Sequence, residues 1–348
     1  MSGNTSACRR LVLGNGAICV LSVAAILWGV SVAQATPTVV DAGPFTVTFH
    51  NNGDSTRWST SENINSEKNW TAQEMSDVIA CINTWDIGLL NVPGRQVQLH
   101  MVWSELDPYG TGVLGGSYSP TNGDGVSSWS YPEHVWRDGV NYNGLWDDWD
   151  CMIQYDITAA GYAWNIGTDS PTGSEIDFRS VVTHEIGHAL GFSDSYDYSF
   201  DDWGNVYGSA TSAGAWLGWE GLREWDKLLM DSAGNRPSSG GTGTPGNFNE
   251  TDDPVYFTGP NSVDYFGGNV PIYAPYLFQP GSSLAHLDED ITGGGLMTPY
   301  IDLGEEIRAP TELEWQMMAD MGWTIPEPAT ALLLVGGGAA LLARRRRG

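Results

Sequence analysis

The chain has 348 residues, with 42 acidic against 15 basic side chains and four cysteines, a length that fits one large domain or two smaller ones. Between Thr36 and Ile325 lie nine basic and 41 acidic residues, a net charge of −32. That balance argues against nucleic acid or an anionic membrane surface as the partner of this body.

Arg9 and Arg10 precede an apolar run from about Ala17 to Val32, and Ala33-Gln34-Ala35 follows as a small-x-small pattern. The arrangement predicts a secretory signal peptide over residues 1–35, cut before Thr36. The body keeps only Cys81 and Cys151. An exported protein can join two such residues in one disulfide or bury them as free thiols, and both readings stay open. Two cysteines do not make a disulfide scaffold, so a core must hold the body. Its 15 tryptophans, all but Trp28 of the chain's 16, can supply one.

Thr46 to His50 alternates as a strand. Thr71 to Leu89 places Met75, Val78, Ile79, Ile82 and Trp85 at helical spacing, with Thr71 as cap before Glu74. Gln96 to Trp103 alternates again, with Val97, Leu99, Met101 and Trp103 on an apolar face and His100 on the polar one. Gly110 to Tyr118 reads as an edge or turn, and Met152 to Ile157 as a strand. Asp177 to Phe192 is the central helix, capped by Asp177, with Val182, Ile186 and Ala189 facing the core and Gly191 at its end. Further along, Glu220 to Ser232 reads as a helix and Ser232 to Asp253 as a loop or insertion. Val255 to Phe266 and Val270 to Tyr276 read as strands, and Thr311 to Met321 as a last helix. The mixture predicts an α+β domain with a cleft. Asp147 to Asp150 and Asp194 to Asp202 are candidate Ca²⁺ loops or solvated surface, and neither has the regular calcium-loop spacing.

The central helix carries His184-Glu185-Ile186-Gly187-His188. On a helix, positions i and i+4 face the same way, so His184 and His188 can reach one ion, and imidazole nitrogen suits Zn²⁺. Glu185 sits beside them as a general base for a metal-activated water. A catalytic zinc needs a third protein ligand and one open position.

The segment from His184 to Gly191 resembles the metzincin signature. Ser282 to Asp288, followed by Gly295-Leu296-Met297-Thr298-Pro299-Tyr300, resembles the leishmanolysin-like type of that clan. There an insertion separates the glycine from the third histidine. The resemblance implies a metzincin-like zinc protease domain over residues 36–325. Its fold would have a twisted mixed sheet, the central metal-binding helix and a Met-turn C-terminal part, with subdomains of about 36–192 and 193–325. It further implies His184, His188 and His286 as metal ligands, with Asp194 as the alternative third, Glu185 as catalytic base and Met297 as the Met-turn residue. The sequence departs from the family in having few cysteines, and in placing Tyr300 three residues after the methionine.

Past the body, Pro326-Glu327-Pro328 leads into apolar residues 329–343, and Arg344 to Arg347 follow. The apolar stretch is short for a full span and suits a transient membrane contact. Triplet, apolar run and basic cluster resemble the PEP-CTERM sorting signal of Gram-negative bacteria. That resemblance implies signal peptidase and exosortase-type processing, and an extracellular or cell-surface destination. The function expected from these readings is a secreted or surface-sorted zinc endopeptidase acting on protein or peptide. A non-catalytic matrix or surface protein that retains the fold is the alternative.

Overall fold

The computed structural model describes residues 36–57, 63–88, 96–106, 112–123, 128–137, 139, 149–194, 196–197, 215–216, 222–237, 254–275, 279 and 281–325. Apolar residues from both sides of position 193 feed one core: Phe49, Leu99 and Ile186 share it with Trp225, Met297 and Met318.

Five early segments assemble into one sheet. β1 (Thr38–Ala42) and β2 (Phe45–Phe49) form an antiparallel pair. β3 (Val97–Ser104) lies parallel to β2, with Phe45 opposite Val97. β4 (Gly115–Tyr118) and β5 (Cys151–Asp156) complete the order β1-β2-β3-β5-β4. β4 runs antiparallel to β5 and closes the sheet as an edge strand, with Gly115 opposite Tyr155. Leu99, Met101 and Trp103 of β3 enter the main core, as the alternation predicts. The other face is not solvated. Val102 packs there with Trp149 and Met152. His100 is buried too, its Nδ1 3.0 Å from Nε2 of His50 and 3.2 Å from the Thr56 hydroxyl. Sheets with crossover connections are covered on both faces, and a simple polar-out reading fails for them.

α1 (Ala72–Gly88) begins at a reciprocal cap: Glu74 N–H donates to Thr71 Oγ1 at 3.2 Å and Thr71 N–H to Glu74 Oε2 at 2.8 Å. It buries Val78, Ile82 and Trp85, and Trp85 Nε1 donates to the Thr183 carbonyl at 3.0 Å, fixing α1 against α3 (Phe178–Ala189). Between them α2 (Tyr131–Arg137) adds Val135 and Trp136 to the core.

Three later expectations are corrected. The helix expected over Glu220 to Ser232 shrinks to α4 (Glu224–Leu228). Leu229 leaves it to pair with Phe257, so Leu229–Met230 (β6) becomes a strand. The strand expected over Val255 to Phe266 ends at Phe257 (β7, Val255–Phe257). Pro260 at the first helical position then starts α5 (Pro260–Phe266). Asp320, far along the chain, accepts the N–H groups of Asn261 and Ser262 at 2.9 Å each, a cap that no local pattern announces. The strand expected over Val270 to Tyr276 spans Val270–Ile272 (β8), opposite β7. α6 (Glu289–Thr292) and α7 (Glu312–Asp320) follow.

Cys81 and Cys151 are free and buried, which decides between the two cysteine readings. The candidate calcium residues 147–148, 195 and 198–202 lie outside the described residues, as do most of the 232–253 loop and the apolar stretch 329–343. Asp150 is committed to the fold: its Oδ2 accepts Gln98 N–H at 2.7 Å, and burial pushes its pKa up to about 7. Among the described residues no helix is long and apolar enough to cross a membrane.

Candidate metal centre

Asp177 starts the central helix by accepting Ser180 N–H at 2.9 Å and the Ser180 hydroxyl at 2.6 Å. Val182, Ile186 and Ala189 bury one stripe of α3. The adjacent stripe, with Val181, His184, Glu185 and His188, lines a cleft of about 520 Å³. Gly191 takes φ 122°, which only glycine adopts without strain, and the chain turns there. The turn brings the Phe192 carbonyl back onto His188 Nδ1.

The structure brings three histidines together. Their Nε2 atoms form a triangle: 3.0 Å from His184 to His188, 3.1 Å from His188 to His286, and 3.2 Å from His286 to His184. Each Nδ1 faces a backbone carbonyl: Leu296 O for His184 at 2.6 Å, Phe192 O for His188, and Ser282 O for His286 at 2.8 Å. A carbonyl only accepts, so each Nδ1 carries the proton and each Nε2 is left with a bare lone pair. Burial holds all three rings neutral, with His188 pushed down to about 3 and His184 and His286 also lowered. Three lone pairs aimed at one point repel unless a cation sits between them. The donor set therefore fits a divalent metal such as zinc, and the carbonyl partners supply the orienting hydrogen bonds that metal-bound histidines need. Among the described residues, this trio is the one group of His, Cys, Asp and Glu side chains with such convergence.

Asp194 lines the same cleft but stands outside the trio. Glu185 is buried, its Oε2 has no hydrogen-bond partner among the described residues, and burial pushes its pKa up to about 8. Its other oxygen presses against the edge strand, where a Cβ on Gly115 would lie 2.7 Å from Oε1. Met297 is fully buried against α3, and a Cβ on Gly187 would lie 2.5 Å from its sulfur. Tyr300 is half exposed on the cleft wall, its hydroxyl 2.6 Å from that of Tyr273 and donating to Gln279 Oε1 at 3.0 Å.

Sequence reasoning missed the groups that orient the three histidines. Leu296, Phe192 and Ser282 act through backbone carbonyls, which carry no residue signature. Leu284, two residues before His286, holds φ 69°, a strained value for a non-glycine. Its carbonyl accepts Trp225 Nε1–H at 2.8 Å, so a buried tryptophan of α4 braces the His286 loop. Glu314 was also missed. It is buried under the turn at Met297, where burial raises its pKa and the amides of Met297, Thr311 and Leu296 pull it back.

Residues 324–347 match the PEP-CTERM protein-sorting motif. The chain is therefore an exported protein sorted to the surface of a Gram-negative cell and handled by exosortase-type machinery. No curated protein and no solved structure matches it.

Proposed function

We propose that the body is a zinc-dependent endopeptidase of the leishmanolysin-like metzincin type, acting outside the cytoplasm on protein or peptide. The observation that carries this reading is the convergence of three bare Nε2 atoms beside a buried, unpartnered carboxyl in an open cleft. His184, His188 and His286 would hold the zinc. When bound, zinc supplies a Lewis acid that polarises the scissile carbonyl and makes water acidic near neutral pH. Glu185 takes the proton of the attacking water on its carboxylate and delivers it to the leaving amine. Its Oε2, which has no hydrogen-bond partner among the described residues, is open to receive that proton. Gly115, Gly116 and Ser117 of β4 line the cleft beside Glu185, and β4 is the last strand of its sheet. An extended peptide laid along that edge would gain main-chain hydrogen bonds and pass its carbonyl over the site. A surface protein that merely retained the metal would gain nothing from burying an unpartnered carboxyl there.

The test is zinc content and casein cleavage in the wild type and in Glu185→Ala, His286→Ala and Asp194→Ala. Glu185→Ala is expected to keep its metal and lose cleavage, His286→Ala to lose metal, and Asp194→Ala to retain it. Full activity in Glu185→Ala, or a wild type that takes up no zinc, overturns the reading.

A further inference from the structure

We infer that Glu314 is a positioning residue for the metal centre, acting on His184 through the peptide group that joins Leu296 to Met297. The inference rests on the metal-binding half of the function proposed above.

Glu314 is fully buried in the first turn of α7. One oxygen, Oε2, is used by the helix itself: it accepts Thr311 N–H at 2.5 Å and the Thr311 hydroxyl at 2.9 Å. That pairing is an ordinary capping box. The other oxygen leaves the helix. Oε1 accepts Met297 N–H at 2.6 Å, and the Leu296 amide also faces the carboxylate. The Met297 N–H and the Leu296 carbonyl belong to the same peptide unit. That carbonyl accepts His184 Nδ1–H at 2.6 Å. Carboxylate, peptide and imidazole thus stand in one line of hydrogen bonds that ends at the bare Nε2 of a metal ligand.

Such a line does two things. It fixes the Leu296 carbonyl in position, which fixes the tilt of the His184 ring. It also polarises the peptide, because an anion on the N–H side makes the carbonyl oxygen a stronger acceptor. A stronger acceptor on Nδ1–H makes Nε2 a better donor to a cation. The turn is shaped around the carboxylate as well. A Cβ on Gly295 would lie 2.9 Å from Oε1, so a side chain there would push the oxygen off the Met297 amide.

The experiment is a zinc competition titration against a chromophoric chelator, with thermal unfolding in parallel, on the full chain and on Glu314→Gln, Gly295→Ala and Thr311→Ala. Thr311→Ala removes the capping hydroxyl and leaves Oε1 on the turn, so it measures the helix role alone. Glu314→Gln is expected to weaken zinc binding by about tenfold or more, in line with the loss of an orienting partner behind a ligand. Gly295→Ala should do the same with the charge still present. Thr311→Ala should lower Tm and leave affinity near wild type. In Co²⁺-loaded protein, Glu314→Gln should shift the visible bands and Thr311→Ala should not. Wild-type affinity in both Glu314→Gln and Gly295→Ala, or affinity losses that simply follow Tm across all three variants, overturns the inference. A wild type that binds no metal overturns the metal reading itself, which separates the two failures.

Discussion

The sulfur of Met297 occupies the space where a side chain on Gly187 would begin, 2.5 Å from that Cβ position. Gly187 sits between Glu185 and His188, so the turn from the distant C-terminal part is pressed into the middle of α3.

Gly187→Ala should destabilise the protein. Alanine is favoured over glycine inside a helix by about 1 kcal/mol. Here that gain meets overlap with Met297 and with Trp85, whose Cζ2 would lie 3.2 Å away. Overpacking of this kind costs about 1–3 kcal/mol. The net loss should appear as a lower urea midpoint with an unchanged slope, together with weaker zinc binding. A more stable variant would show that Met297 moves aside freely.

Gly115→Ala tests the edge strand. The new Cβ would meet Glu185 Oε1 at 2.7 Å, and Glu185 Cγ at 3.0 Å. The carboxylate must move, while the three atoms nearest the new Cβ all belong to Glu185 and none to a histidine. Zinc content should hold and kcat should fall at least tenfold, with KM changed less. In Gly115→Ala with Glu185→Asp, the shorter acid should restore the thermal stability that Gly115→Ala alone loses. Failure of that restoration would place the damage in β4 itself.

The central helix and its cap were legible because their signals are local. Asp177, the His-Glu-x-x-His spacing and Gly191 all lie within one short stretch, and the Thr71–Glu74 cap announces α1 in the same way. Val255 to Phe266 was misread because its apolar content suits a strand, whereas Pro260 and the remote Asp320 set a helix. His286 was legible only as one of two candidates, since nothing local links it to residues 98 or more positions earlier. The orienting groups were illegible in principle. A backbone carbonyl is recruited by where the chain passes, and Glu314 reaches the amide of Met297 from 17 residues along the chain.

Glu185 gives a pH prediction for the metal-free protein. Its carboxyl ordinarily titrates at 4.5 and burial holds it up at about 8. Between those values the folded state binds more protons than the unfolded one, so stability falls as pH rises through the window. Glu185→Gln does not titrate there. The wild type should therefore lose stability relative to that variant from pH 4.5 to pH 8, by up to about 1.4 kcal/mol per pH unit. Urea unfolding at four pH values, with chelator present, measures the difference. A flat difference would mean that Glu185 reaches water.

Cys81 and Cys151 should be inert in the folded state. Both are buried and burial pushes each thiol up to about 12. The Cys81 thiol donates to the Arg179 carbonyl at 3.4 Å, and Cys151 lies 3.2 Å from the Ser117 hydroxyl. Iodoacetamide at pH 8 should label neither in the exported form and both after denaturation, since the thiolate is the reactive species. Absence of free thiol after denaturation without reductant would establish a disulfide instead.

Arg308 should matter more than its position in an irregular segment suggests. Its guanidinium grips the Asp177 carboxylate with two hydrogen bonds, at 2.9 Å and 2.5 Å, and also donates to the carbonyls of Thr168 and Asp169. Asp177 is fully buried, so Arg308→Met removes the guanidinium that its carboxylate pairs with at the start of α3. Removing one partner of a buried pair costs about 3 kcal/mol. Lysine offers a point charge and not a fork, so Arg308→Lys should recover only part of the loss. Arg308→Met with Asp177→Asn should be more stable than Arg308→Met alone, because the amide keeps an acceptor for Ser180 and removes the stranded charge. A change of under about 0.5 kcal/mol in Arg308→Met, the range of an ordinary surface substitution, would mean that Ser180 and the helix amides suffice to hold Asp177.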